Sequence, residues 1–107
     1  MALNWRQGDD LAVSTSVVGI DDAAGLTLDG DIHMALIMHK SGGKIHELSG
    51  KGAAGTPVAG GGAGEHEREE GDEWEVWGGE DLKYVRWVKE TGESDAVIAI
   101  QLYGTGN

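Results

Sequence analysis

The chain has no cysteine, no phenylalanine, a single proline and only 8 basic side chains against 19 acidic ones. Without cysteine there is neither a disulfide framework nor a thiolate zinc site, so stability has to come from burying Val, Ile, Leu, Met and the four tryptophans. A formal net charge of -11 repels phosphate backbones, which argues against nucleic acid as a partner. No apolar run approaches the roughly 20 residues a membrane-crossing helix needs. The opening Met1–Arg6 also lacks a basic region followed by an apolar stretch. These absences point to a protein that is neither secreted nor membrane-bound, made in a reducing cytosol or in a particle assembled there.

What is present reads as short strands punctuated by turns. At 107 residues the chain has room for one modest core, hence one domain over 1–107. Leu11, Val13, Thr15 and Val17 alternate with Ala12, Ser14 and Ser16, the period-two pattern of a half-buried strand. Leu26-Thr27-Leu28 follows as a short strand between Asp/Gly turns. The run 31–40 is apolar on both faces, as a central strand is. Ser41-Gly42-Gly43-Lys44 has the two-glycine centre of a primed turn, predicting a hairpin between 31–40 and 44–49.

Trp74-Glu75-Val76-Trp77, Tyr84 to Val88 and Val97 to Tyr103 complete the set. Helical periodicity is absent; the only stretch to test is Glu65 to Glu70, which lacks an apolar stripe. About seven strands predict an all-β fold, a small Ig-like β-sandwich.

One segment does not belong to that scaffold. Gly50 to Gly64 is rich in glycine and alanine and runs into the acidic stretch Glu65 to Glu75, giving an extended loop over 50–72. It is too long for a tight turn, and such segments inside compact domains are functional arms or plain surface loops. As an interaction arm its working residues are Gly52, Ala53, Gly55, Pro57, Gly60, Gly61, Gly62 and Gly64, the glycines allowing close backbone approach.

No constellation carries catalysis. Gly50-Lys51-Gly52-Ala53-Ala54-Gly55 has dinucleotide-loop spacing, but Thr56-Pro57 and three glycines follow where a helix should begin. His33 and His39 share a strand face but lie roughly 20 Å apart, too far for one metal ion. His39 and His46 would meet across the expected hairpin, though no third ligand is evident. Asp9-Asp10, Asp21-Asp22 and Asp29-Gly30-Asp31 offer oxygen ligands for calcium, yet Asp and Gly are also ordinary turn residues. No serine lies in a nucleophile-elbow setting. The expectation is therefore no enzyme, no metal, no cofactor and no small-molecule ligand. Of the aromatics, Trp74 and Trp87 read as core and Trp77 as the exposed one, available as a sugar-stacking surface.

Trp5-Arg6-Gln7-Gly8-Asp9-Asp10-Leu11, an Asp/Gly loop, Leu26-Thr27-Leu28-Asp29-Gly30 and the strand 31–40 resemble the start of immunoglobulin-like domains in tailed-phage baseplate and tail-fibre proteins. Tyr84 to Val88, a glycine turn and Ala96 to Tyr103 look like their closing hairpin, while the arm and acidic run depart from the pattern. The resemblance implies a virion structural protein, assembled in the host cytoplasm. It would be an accessory chain that decorates a capsid or adapts a tail or neck, since no fibre segment follows the last strand. Its partners would be other virion proteins or further copies of itself. Two other readings fit the sequence: a stand-alone carbohydrate-binding sandwich using Trp77, and a small metal-dependent β-barrel enzyme using His39 and His46.

Overall fold

The computed structural model describes residues 3–49, 56–62 and 64–105. In chain order the described elements are β1 (Asn4–Val13), a 3-10 turn (Ile20–Asp22), β2 (Ile32–Ser41), β3 (Ile45–Leu48), β4 (His66–Arg68), β5 (Glu73–Trp77), α1 (Gly79–Tyr84), β6 (Arg86–Lys89) and β7 (Ala96–Gly104). They form an all-β sandwich of two antiparallel sheets, one with the order β1-β7-β2-β5 and the other β4-β3-β6.

Alternation decides which side chains enter the core. Ile98, Ile100 and Leu102 of β7 stand opposite Leu11 of β1 and His39, Ile37 and Ala35 of β2, and all are buried. From the smaller sheet, Ile45 and Trp87 close the core, and Ile20, Leu82 and Val85 from the connecting segments join it. The backbone pairing of Val18 with Trp87 extends the β6 edge by one rung.

The expected hairpin at 41–44 is not formed. β2 lies in the four-stranded sheet and β3 in the three-stranded one, so Gly42-Gly43 carries the chain from one layer to the other. Gly42 adopts φ +98, and a Cβ there would stand 2.1 Å from the Asp95 carbonyl oxygen. The corner's amides have partners: Gly42 N–H donates to Glu70, Gly43 N–H to the Ser94 carbonyl and Lys44 N–H to Glu93. His39 Nε2 meets the Gly43 carbonyl at 2.7 Å. The closing hairpin fails for the same reason, because β6 and β7 also belong to different sheets.

Three further expectations are corrected. The first strand runs over 4–13 rather than 11–17. Leu26-Thr27-Leu28 lies outside the ladders; the Gln7 side chain bonds both the N–H and the carbonyl of Thr27, doing what a partner strand would do. Tyr84, expected to open a strand, ends a helix instead. The stretch 65–70, weighed above for a helix, contains strand β4. β1 and β7 are neighbours, an adjacency that the ABED/CFG partition of an immunoglobulin constant domain lacks, although Ig-like sandwiches vary in topology.

Candidate functional site

The four-stranded sheet has a core face and an outer face, and part of the outer face is apolar where water would favour polar residues. β-pairing aligns Trp5 with Tyr103, Tyr103 with Met34, and Met34 with Trp77, a row running straight across four strands. Its ends are open to solvent, with Trp5 56% and Trp77 53% exposed. Met34 at the centre is nearly covered yet lies outside the core cluster. Three spacings of about 4.8 Å separate the terminal strands, so the row spans about 14 Å.

Below it, Leu36, Met38 and Ala99 continue the apolar surface around a shallow depression also lined by Gln101 and Glu73. Antiparallel sheets with one solvated face ordinarily alternate to polar residues there. On this face Trp5, Tyr103, Met34, Trp77, Leu36 and Met38 depart from that expectation.

The polar tips of both tryptophans are already engaged. Trp5 donates its indole N–H to Gln101, one rung along the same face, and Trp77 donates to Glu75, two residues back on its own strand. The rings therefore present hydrocarbon, while Glu73, Glu75, Asp10 and Lys40 supply charge on the same face, with Lys40 and Asp10 paired at 2.8 Å.

The described part of the arm lies against its own domain. Ala59 accepts the Thr91 N–H, Gly61 N–H donates to Val58, and Val58 N–H donates to Glu65 Oε2 at 2.8 Å. These bonds lay residues 57–62 and 64–65 over the outer face of the three-stranded sheet, with Pro57 buried and Gly61 beside His46, where a Cβ would be 3.4 Å from the imidazole. Gly60, Gly62 and Gly64 are exposed. Gly52, Ala53 and Gly55, together with the dinucleotide-like spacing from Gly50, lie outside the described residues.

Trp74 and Trp87 are core residues and Trp77 is exposed, as alternation indicates. His39 and His46 do not meet across a hairpin, since they lie on strands of different sheets. Of the aspartates considered for calcium, Asp9 on β1 accepts from Asp10 and Gly25, while Asp22 and Asp29 accept within turns from Gly19 and Asp31.

Sequence reasoning missed two things. Trp5 and Tyr103 join Trp77 only through pairing of the first and last strands. Glu47 is fully buried and satisfied, accepting from Trp74 Nε1 at 2.6 Å, Trp87 Nε1 at 2.8 Å and Arg68 at 3.0 Å, with the guanidinium 4.4 Å from the centre of the Trp74 ring. The engagement of both its oxygens makes it a structural hub. Comparison with family models, with curated proteins and with solved structures finds no match for this chain.

Proposed function

We propose that this domain is a non-enzymatic structural protein of a tailed-phage virion, a capsid decoration or a small tail or neck adaptor, that docks on a neighbouring subunit through the outer face of its four-stranded sheet. The observation that carries the docking reading is the row Trp5, Tyr103, Met34 and Trp77 with its open ends. Aromatic residues and methionine are the types enriched at the centres of protein interfaces. The virion setting comes from the sequence resemblance, and the sandwich architecture is compatible with it.

Charge selects the partner. The face carries Asp10, Glu73 and Glu75 on a chain of net charge -11, so the complementary surface is apolar at its centre and basic at its rim. The edge strands β1 and β5 add a second mode, because an edge offers backbone groups to another chain.

A carbohydrate-binding reading is favoured by one observation, the three aromatics on a single sheet face. Against it, both indole N–H groups are already committed to Gln101 and Glu75. Quantitative mass spectrometry of purified source particles tests the proposal. It expects the chain at a fixed copy number, and loss of the chain from particles carrying Trp5→Ser and Trp77→Ser. Absence of the chain from particles, combined with glycan binding by the free monomer, would replace this reading with the carbohydrate one.

A further inference from the structure

We propose that His46, Glu67 and Glu90 hold a divalent cation of the zinc class, with Glu65 orienting the imidazole. The three residues come from separate segments that the small sheet brings together. His46 sits on the central strand β3, Glu67 stands directly opposite on β4, and Glu90 follows β6. One ligand atom from each lies within 4.8 Å of the others, and His46 Nε2 is 3.2 Å from Glu90 Oε1. Ligands held at about 2.0–2.2 Å from one ion are roughly 3–4 Å apart, so binding requires only a small closure of two glutamate side chains.

The other side of the imidazole gives an independent indication. His46 is 1% exposed and the Glu65 side chain 4% exposed. Among the described residues, His46 Nδ1 and Glu65 Oε1 are both buried without a hydrogen-bond partner, and they face each other at 3.7 Å. Buried polar atoms in native proteins are normally satisfied, so two orphans facing each other call for an explanation. A cation on Nε2 fixes the neutral tautomer with its proton on Nδ1, and that proton points at Glu65. Metal-bound histidines are held this way, with a carboxylate behind the ring. Glu65 is itself anchored, because its other oxygen accepts the Val58 N–H.

Charge also favours a cation. Glu65, Glu67 and Glu90 converge on one imidazole, and Lys44 approaches only Glu67, at 3.8 Å. An imidazole donor argues for a zinc-like ion over calcium or magnesium, which prefer oxygen-only sets. The bound ion joins β3, β4, the turn after β6 and, through Glu65, the covering residues 57–62, so its expected effect is a clasp that holds them against the small sheet.

Titration of zinc chloride into the chelator-stripped full chain, followed by calorimetry and thermal melting, tests this. One equivalent binding in the micromolar range or tighter, with a raised Tm, is expected. Glu67→Gln and Glu90→Gln alter side chains that are 57% and 30% exposed, so both variants should fold, and each should bind at least about tenfold more weakly. Glu65→Gln should weaken binding less, since the amide oxygen still accepts from Nδ1. Magnesium or calcium at the same concentration should not displace the zinc. The proposal is overturned by an absence of saturable binding, by one-to-one binding unchanged in the Glu67→Gln, Glu90→Gln double variant, or by weak multi-site binding shared by all variants.

Discussion

Trp87 donates its indole N–H to Glu47 Oε2 across 2.8 Å of fully buried interior, and Trp74 donates to the same oxygen at 2.6 Å. One carboxylate thus fixes the rings of two strands that lie in different sheets. Removing it leaves two indole donors and the Arg68 guanidinium without their acceptor. Glu47→Ala is expected to cost about 3–5 kcal/mol, as breaking a buried charged network does. Glu47→Gln keeps one oxygen acceptor and should cost about half of that. Urea denaturation measures both, and a loss under about 1 kcal/mol for Glu47→Ala would show that the hub is dispensable.

The sheet-to-sheet corner makes a contrasting pair of glycines. Gly42 combines φ +98 with a would-be Cβ 2.1 Å from the Asp95 carbonyl, whereas Gly92 has φ +86 in open space. Gly92→Ala should cost about 1–2 kcal/mol, the ordinary left-handed penalty. Gly42→Ala adds a backbone clash and should cost more, about 3 kcal/mol or greater. Equal losses measured by thermal melting would contradict the account of the corner.

Ile100 is fully buried at the centre of β7 opposite Ile37. Ile100→Ala should destabilise by about 2–5 kcal/mol. Trp5→Ser and Trp77→Ser, on the outer face, should each change stability by less than about 1 kcal/mol, because the rings are more than half exposed already. Chemical denaturation of all three separates a core role from a surface one.

Much of the sandwich was legible because alternation is a local property. The strands at 31–40, 74–77 and 97–103 carry their own pattern, and Trp77 follows Val76 onto the opposite face. β1 was legible only from Leu11 onward, since its earlier inward positions are Gln7 and Asp9, polar residues that bond the Thr27 and Gly25 backbones instead of joining the apolar core. The six-residue helix α1 buries a single leucine, Leu82, too little to leave a helical period. Sheet membership was not legible. Whether Gly42-Gly43 turns back or crosses over depends on Glu70, Glu93 and Ser94, residues distant in sequence. The row from Trp5 to Trp77 and the group around His46 both arise from such distant pairings, so neither carries a local signature.

The docking claim concerns particular rings, and hydroxyl-radical footprinting reads those rings one by one. Labelling of the free chain should mark Trp5, Trp77, Val17 and Val58, which are all exposed. In the assembled particle, Trp5 and Trp77 should be strongly protected while Val17 stays reactive. Unchanged labelling of both tryptophans, with protection appearing at Val58 instead, would contradict the sheet-face account and assign the contact to the arm.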